Sequence, residues 1–283
     1  MTVSSYFRPS SVPEAIRLLQ AHGPDLFVIA GGTVAMPLLN EGVLQPRLVM
    51  GLRNAGLAGI EQTDGGLRIG ATTTLTALVE QDAIPMLATA ASRTAAWSVR
   101  NLGTVGGNLF SAPRGGDVAT ALLALDASAV ASGPGGTRVI PLTSFFTGLH
   151  ATALAPDELV TAIRVPMPDG DASFVKLGRR SQGSPAVVTV AAQVRRDGER
   201  TTKARIAIGS AGPVPFRAVA AEAALAGKPF DGDAIAAAAE AAEAEAEPLA
   251  DAIASDWYRR RMVGVVVRQA LEQLVPAASG RAA

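Results

Sequence analysis

Two stretches of this sequence carry most of its information: Ala30-Gly31-Gly32-Thr33 and Gly103-Thr104-Val105-Gly106-Gly107-Asn108. The first follows the apolar run Leu26-Phe27-Val28-Ile29, which predicts a strand. Paired glycines adopt backbone conformations closed to other residues, and they let N–H groups approach an anion without a Cβ in the way. A glycine pair after a strand is more often an ordinary turn, but Pro37 favours a helix start and so predicts a strand-to-helix loop with free amides. Two such loops predict one diphosphate bound from both sides.

The composition excludes several classes of partner. The chain has 283 residues, of which 48% are hydrophobic, and a globular protein of this length buries about three quarters of its unfolded surface. Its 25 basic and 25 acidic residues cancel, so no net field attracts nucleic acid or an anionic membrane. Because the chain has no cysteine, it holds neither a disulfide nor a thiolate-bound iron–sulfur cluster.

The sequence shows no targeting signal. Residues 1–8 do not lead from a charged start into an apolar core, as a secretory signal would. No apolar run approaches the ~20 residues that cross a bilayer. We therefore expect a cytoplasmic protein without a membrane span.

The first 168 residues are predicted to form two α+β subdomains, of about residues 1–56 and 57–168. Apolar residues recur with the spacing of a helix after Ser11. Asp117 stands where the N-cap of a later helix is expected. Further predicted elements are strands at 26–30, 47–51, 67–70 and 159–165, a hairpin at 128–132 and 138–141, a short helical turn at 144–146, and helices at 84–100 and 118–126.

The remainder, residues 172–276, is predicted to be a separate α+β domain. Its strands precede its helices, an order that favours helices packed on one face of an antiparallel sheet. The predicted strands are 173–177, 186–194 and 204–209, and the predicted helices are 216–226, 233–247 and 256–274.

Common catalytic arrangements are missing from the sequence. Two histidines, His22 and His150, cannot build a histidine-rich metal centre, and neither a Rossmann fingerprint nor a P-loop is present. We therefore predict no catalytic residue and no metal ligand in this chain. Nucleotide binding has to use the two glycine pairs instead.

The chain resembles the FAD-binding (medium) subunits of molybdenum hydroxylases, the family of carbon monoxide dehydrogenase and bacterial xanthine dehydrogenases. The resemblance runs from about residue 4 to 275, and its most specific part is the double glycine pattern. It implies a two-subdomain FAD-binding (PCMH-type) domain followed by a C-terminal α+β domain of the carbon monoxide dehydrogenase flavoprotein type. The matching segments are residues 30–33, 100–108, 117 with 121–125, 145–148, 158–166, 174–180 and 258–260.

The resemblance also implies which residues hold FAD. Both glycine segments would wrap its pyrophosphate, and three further residues would lie near the flavin or its ribityl chain. The first set is Ala30, Gly31, Gly32, Thr33, Val34, Thr104, Gly106, Gly107 and Asn108, and the second is Asp117, Val160 and Lys176.

Some of these residues have a second interpretation. Asp117 serves equally well as a helix N-cap, and Lys176 as a solvated lysine on an edge strand. By resemblance, the Lys176 ammonium and the Val160 backbone would instead touch the isoalloxazine ring, where a cation raises the flavin potential. The sequence departs from the family at Ser184-Pro185, where an Asp often stands shortly before the Ala-Val-Val run.

The function implied by the resemblance is electron relay. FAD would be held noncovalently, because no histidine or cysteine lies near the glycine pairs. Molybdopterin and 2Fe-2S clusters would sit on a large and a small partner subunit, in a heterotrimer or its dimer. The alternatives are a stand-alone FAD-dependent oxidase or reductase and a non-catalytic nucleotide-binding module. The substrate and the terminal acceptor (NAD, quinone or oxygen) stay open.

Overall fold

The computed structural model describes residues 3–111, 116–180 and 183–275. The described chain is α+β, with a parallel sheet near the N-terminus followed by two larger antiparallel sheets and one two-stranded antiparallel sheet. Within these residues no helix is both long enough and apolar enough to cross a membrane.

The first sheet is parallel and has the strand order β1-β3-β2. Helix α1 begins after Ser11, whose side chain accepts a hydrogen bond from the amide of Glu14, so the predicted N-cap is confirmed. Helix α2 starts directly beyond the first glycine pair. The elements are β1 (Ser5–Phe7), α1 (Val12–His22), β2 (Leu26–Ile29), α2 (Ala35–Asn40) and β3 (Leu48–Gly51).

The second sheet is antiparallel, in the order β4-β5-β10-β6-β7, and helices pack against it. The predicted hairpin is confirmed as β6 and β7. The elements are β4 (Ile60–Thr63), β5 (Gly66–Gly70), α3 (Leu75–Glu80), α4 (Pro85–Arg93), α5 (Trp97–Arg100), α6 (Val105–Leu109), α7 (Asp117–Ala124), β6 (Ser128–Gly133), β7 (Gly136–Pro141), α8 (Leu142–Phe145), β8 (Phe146–Gly148), β9 (Ala151–Thr152) and β10 (Leu159–Pro166).

The single helix predicted at 84–100 is wrong. The chain leaves the helical conformation after Arg93, and Ala95 takes a positive φ of 49°. The Arg100 guanidinium compensates this break, since its Nη1 donates to the carbonyls of Ala95 at 2.7 Å and Ser92 at 3.1 Å. Alanine-rich sequence favours a helix here, but the Arg100 side chain pairs with carbonyls that the break leaves free and so stabilises the interrupted conformation.

The third sheet is antiparallel, in the order β11-β12-β13-β14, and α9, α10 and α11 cover one of its faces as predicted. Its other face packs on α4 and α7, so both faces are buried. Residues 216–217, predicted as the start of a helix, instead form the edge strand β14. The elements are β11 (Asp171–Gly178), β12 (Ala186–Asp197), β13 (Arg200–Gly209), β14 (Phe216–Arg217), α9 (Val219–Leu225), α10 (Gly232–Glu245) and α11 (Asp256–Glu272).

In the first turn of α11, the Arg259 side chain lies in the core and the Trp257 side chain lies at the surface. Arg259 is completely buried and donates to the carbonyls of Val187 at 2.6 Å and Ser210 at 2.9 Å, while its Nη2 pairs with Asp251 at 2.8 Å. Trp257 is 72% exposed. These hydrogen bonds from Arg259 hold the start of α11 against the third sheet.

Candidate functional site

The two glycine segments, 75 or so residues apart in sequence, lie against each other in the fold. A Cβ on Gly31 would overlap the carbonyl oxygen of Leu102, and a Cβ on Gly103 would stand 3.6 Å from Thr33 Oγ1. Only glycine at position 31 lets the backbones approach this closely. We call residues 30–34 the first glycine loop and residues 103–108 the second glycine segment.

The first glycine loop offers free amides. It connects β2 to α2, and Gly32 has a positive φ of 73° that favours glycine. The carbonyl of Gly32 accepts from the amide of Met36 at 2.8 Å. Among the described residues, the amides of Gly32, Thr33 and Val34 have no hydrogen-bond acceptor. Three adjacent donors at a strand-to-helix turn are suited to an anion.

The second glycine segment differs, because its amides are already used. The amide of Gly106 donates to Ala71 O at 2.9 Å, and that of Gly107 donates to the capping Thr104 Oγ1 at 3.0 Å. These glycines lie in the short helix α6, and a Cβ on Gly106 would come within 2.7 Å of Ala71 O. Glycine at positions 106 and 107 therefore makes room for Ala71 and for the capping Thr104 hydroxyl, and that hydroxyl retains a proton to donate.

Asn108 connects the second glycine segment to α7. Its buried side-chain oxygen accepts from the amide of Ala119 at 3.0 Å, and its carbonyl accepts from the amide of Gly116 at 3.2 Å. The Asn108 oxygen thus satisfies a free donor in the first turn of α7. This contact places the start of α7 beside the glycine segments.

Asp117 is not the N-cap of α7, contrary to one of its two predicted roles. Gly116 occupies the cap, and Asp117 is the first helical residue. Its carboxylate instead binds the ammonium of Lys176 at 2.6 Å, and that ammonium also donates to Arg93 O at 3.0 Å. The side chains are 10% and 9% exposed, respectively. Lys176 is therefore not the solvated lysine of the alternative interpretation, although β11 is an edge strand.

Burial dominates the acidity of the Asp117 carboxyl. Removal from water raises the pKa of the Asp117 carboxyl above its ordinary value, and the Lys176 ammonium and the Thr94 side chain partly oppose that shift. Because the ammonium is in direct contact with a carboxylate, Lys176 does not present an uncompensated cation.

Val160 lies next to a chain of backbone hydrogen bonds that leads to the second glycine segment. It is buried in β10, next to an irregularity in the β10–β6 register between Val160 and Ala162. The carbonyl of Thr161 accepts from the amide of Ala71 at 3.0 Å, and Ala71 O accepts from Gly106 as described above. The structure thus brings all the predicted site residues into one continuous region.

Sequence reasoning missed the residues of a cleft beside the first glycine loop. The cleft has a volume of about 700 Å³ and lies at the carboxyl ends of the parallel strands. Its polar residues include Tyr6, Arg8, Arg53 and Asn54. The signal that could have found them is positional, because the carboxyl ends of parallel strands meet at one edge and are where α/β sheets bind ligands.

Ser184, where the sequence departs from the family pattern, makes two hydrogen bonds with the backbone of Arg180. Its buried hydroxyl donates to Arg180 O at 3.1 Å and accepts from the Arg180 amide at 3.3 Å. Across the described ranges, no group of three or more His, Asp or Glu side chains is arranged to hold a metal ion.

Two family matches cover nearly the whole chain. Residues 2–168 match the FAD binding domain in molybdopterin dehydrogenase. The chain belongs to this family. Residues 173–274 match the CO dehydrogenase flavoprotein C-terminal domain.

Relatives of this FAD-binding family member align over almost their full length. The carbon monoxide dehydrogenase medium chain of Hydrogenophaga pseudoflava is 34% identical, over 94% of this chain and 95% of the relative. The xanthine dehydrogenase FAD-binding subunit of Escherichia coli O157:H7 is 32% identical, over 98% of each. A crystal structure of the Cu,Mo-CO dehydrogenase, in its cyanide-inactivated form, superposes with a TM-score of 0.91 at 31% identity, over 95% of this chain and 96% of the other. The chain is therefore a flavoprotein subunit of the molybdopterin-dependent oxidoreductases, and it has their α+β fold.

The residues present fit the family's cofactor, FAD. The first glycine loop has free donors for a diphosphate, and the missing Cβ of Gly31 lets the second glycine segment pack directly against the loop. The cleft lies on one side of this loop, and the second glycine segment with Asp117 and Lys176 on the other. A dinucleotide therefore has room on both sides of its diphosphate.

Proposed function

We propose that this chain is the FAD-binding electron-transfer subunit of a multi-subunit molybdenum hydroxylase. It would pass electrons from iron–sulfur clusters on a partner chain to a terminal acceptor. The observation that carries the proposal is the meeting of the two glycine segments, with three free amides, in a chain of the FAD-binding family. When bound, FAD supplies the redox chemistry, because a flavin accepts and donates electrons either singly or in pairs.

The proposed division of the chain puts FAD binding in residues 1–168, with subdomains of about 1–56 and 57–168, and a C-terminal domain at 172–276. The matched ranges 2–168 and 173–274 support these bounds. FAD would contact residues from both domains, since Lys176 reaches across to Asp117. The proposed contacts are Ala30, Gly31, Gly32, Thr33, Val34, Thr104, Gly106, Gly107, Asn108, Asp117, Val160 and Lys176.

The chain's own groups would bind and orient FAD without a proton-transfer step. The free amides of the first glycine loop would hold the diphosphate, and the Thr104 hydroxyl of the second glycine segment would donate a further hydrogen bond to it. The Asp117–Lys176 pair would present a carboxylate and an ammonium of fixed position. Because the pair is neutral as a unit, it would orient the flavin half through hydrogen bonds more than through net charge.

The partners proposed for this chain are a large molybdopterin-binding subunit and a small iron–sulfur subunit, in a heterotrimer or its dimer. The chain itself has no cysteine for an iron–sulfur cluster. Support comes from the carbon monoxide dehydrogenase relative, which is a medium chain, and from the xanthine dehydrogenase relative, which is an FAD-binding subunit. The substrate would be chosen by the molybdopterin chain.

The test is turnover with and without the partners. The purified chain, reconstituted with FAD, should be reduced by dithionite or NADH and should oxidise none of carbon monoxide, xanthine or an aldehyde. Co-expression with an iron–sulfur chain and a molybdopterin chain encoded beside it should give a stoichiometric complex with activity. Turnover of an organic substrate by the chain alone would contradict electron relay and favour a stand-alone flavin oxidase or reductase.

A further inference from the structure

Helix α4 ends in a strained turn beside the Asp117–Lys176 pair. We call residues 92–95 the strained turn, because Ala95 has a positive φ of 49°. A residue with a Cβ takes this left-handed conformation only at a cost in energy, and the conformation persists where other contacts hold it. The groups that contact the strained turn are therefore needed for its conformation.

One guanidinium group holds the strained turn. The Nη1 of Arg100 donates to the carbonyls of residues 92, 94 and 95, at 3.1, 3.3 and 2.7 Å. Carbonyls at the end of a helix have no partners within it, and a cation placed there also interacts favourably with the helix dipole. Within the described ranges Arg100 forms no ion pair. Its side chain is therefore committed to the strained turn.

The strained turn contacts both groups of the buried pair. The Lys176 ammonium, which lies 2.6 Å from the Asp117 carboxylate, also donates to Arg93 O at 3.0 Å. The side chain of Thr94 lies near enough to the Asp117 carboxyl to lower its pKa. A change in the strained turn therefore moves an acceptor of the ammonium.

The Lys176 ammonium depends on its acceptors for its position. A lysine side chain is a flexible four-carbon stem that ends in three rotatable donors, so acceptors determine where its charge lies. Among the described residues, these acceptors are the Asp117 carboxylate and Arg93 O. The first is fixed by α7 and the second by the strained turn. Loss of the second acceptor leaves the ammonium free to rotate about the first.

We propose that Arg100 is a positioning residue that fixes the Lys176 ammonium through the strained turn. Arg100 acts on the turn and not by contact with FAD. The consequence for the flavin rests on the proposed function, since it places the flavin half of FAD at the Asp117–Lys176 pair. An ammonium of fixed position stabilises the added negative charge of a reduced flavin more than a mobile one does. Arg100 thereby raises the reduction potential of bound FAD.

The first experiment measures urea unfolding of the flavin-free full chain. Arg100→Met should lower the unfolding midpoint, and Arg100→Lys should restore part of the loss, because one nitrogen makes all three bonds and an ammonium has three donors. Adding Ala95→Gly to Arg100→Met should also restore part of it, since glycine takes a φ of 49° without strain. Arg68→Met is the matched control, because Arg68 forms an exposed pair with Glu61 at 3.4 Å.

The same experiment tests the connection to the buried pair. In a chain that also carries Asp117→Asn and Lys176→Met, which leave no buried charge unpaired, the loss caused by Arg100→Met should be smaller. An equal loss in both backgrounds would overturn the proposal, because the strained turn and the pair would then be independent. A loss no larger than that of Arg68→Met, or no recovery by Ala95→Gly, would overturn the role of Arg100 in holding the turn.

The second experiment measures the reduction potential of FAD bound to the full chain, which a general loss of stability does not move. Arg100→Met should lower the potential by about 30 mV, a tenfold change for a two-electron couple, and Arg100→Lys should restore part of it. In the background without the pair, the same substitution should change that equilibrium by less than about threefold, because no ammonium is left to position.

The potentials also separate this proposal from the proposed function. An unchanged potential in Arg100→Met, or an equal shift in both backgrounds, would overturn the effect of Arg100 on the flavin through Lys176. If the unaltered chain bound no FAD, the proposed function would fail and the flavin consequence with it. The unfolding measurements would still decide whether Arg100 holds the strained turn against the pair.

Discussion

At the scale of single residues, the Asp117–Lys176 pair is the strongest electrostatic feature of the site. Its two groups are 59 positions apart in sequence and come from α7 and β11. A buried pair owes its stability to both partners being present, because each charge alone would have lost its water without compensation. The pair thus couples the site to the packing of the C-terminal sheet on α7.

Lys176→Met should destabilise the chain by about 3–5 kcal/mol, because it leaves the buried Asp117 carboxylate unpaired. The double variant Asp117→Asn, Lys176→Met should lose much less than the sum of the single variants. A double-mutant cycle of urea unfolding measures this coupling. Lys203→Met is the control, since its 3.3 Å pair with Asp169 lies at the surface and should contribute about 1 kcal/mol or less. A coupling energy no larger than about 1 kcal/mol, the value expected for a surface pair, would show that the pair is not stabilising.

The Lys176→Met variant should also change how the free energy of unfolding depends on pH. Burial raises the pKa of Asp117, and removal of Lys176 takes away the main opposing charge. A carboxyl whose pKa is higher in the folded chain binds its proton more tightly there, so its contribution to stability falls as the pH rises through that range. The stability deficit of Lys176→Met, measured by urea unfolding at a series of pH values, should therefore grow as the pH rises above the ordinary pKa of an aspartate.

At the scale of elements, α7 is held to the C-terminal sheet along its whole length. Its first residue pairs with Lys176, and Thr120 Oγ1 lies 3.1 Å from Thr189 Oγ1. Just past its end, Asp126 binds Arg217 at 2.6 Å and also pairs with Arg205. A Cβ on Gly209 would overlap the Thr120 hydroxyl, so a glycine in β13 permits this close packing. The helix that begins at the site is thus positioned by the following domain.

The first glycine loop is the element whose conformation a single substitution tests most directly. Gly32→Ala should lower FAD affinity at least about tenfold, because a side chain at φ 73° strains the loop and its Cβ would crowd Met36 at 3.2 Å. Gly227→Ala is a matched control, since Gly227 has the same φ of 73° with nothing within 4 Å of its Cβ position. Both variants should lose about 1 kcal/mol of stability or more, but only the first should lose flavin. Equal flavin content in both would contradict a phosphate role for the loop.

At the scale of the whole molecule, the proposed FAD contacts come from the three larger sheets. The first glycine loop follows a strand of the parallel sheet, Val160 lies in the second sheet and Lys176 in the third. A ligand that binds only the folded chain stabilises it in proportion to its saturation. FAD should therefore stabilise the two domains together.

At a concentration about 100-fold above its Kd, FAD should raise the unfolding midpoint by about 5–10 °C. FMN at the same concentration should raise it less. Acid precipitation of the loaded chain should release all flavin into the supernatant as FAD, since no histidine or cysteine stands near the glycine segments to attach it. Flavin retained by the precipitate would contradict noncovalent binding, and recovery of FMN alone would contradict a diphosphate site.

The sequence by itself determined the α+β class, most strands and helices, the two glycine segments and the absence of cysteine. These features rest on local signals: a period of two or 3.6 residues, a cap at Ser11, and glycine where the backbone needs room. The same signals placed Asp117 near the start of a helix. They could not choose between a cap and an ion pair, because both roles suit an aspartate at that position.

The tertiary structure alone decided the rest. In the fold, the 84–100 segment leaves the helical conformation after Arg93, and Arg100 donates to the carbonyl of Ala95. The amides of the second glycine segment donate to Ala71 and Thr104, and Asp117 pairs with Lys176. The fold also brings Arg8 and Arg53 to one cleft, because β1 and β3 run parallel and their carboxyl ends meet. Each of these contacts joins side chains or backbone groups whose approach depends on sheet order and helix packing. Periodicity and capping signals describe only neighbours along the chain, so they contain no information about such pairs.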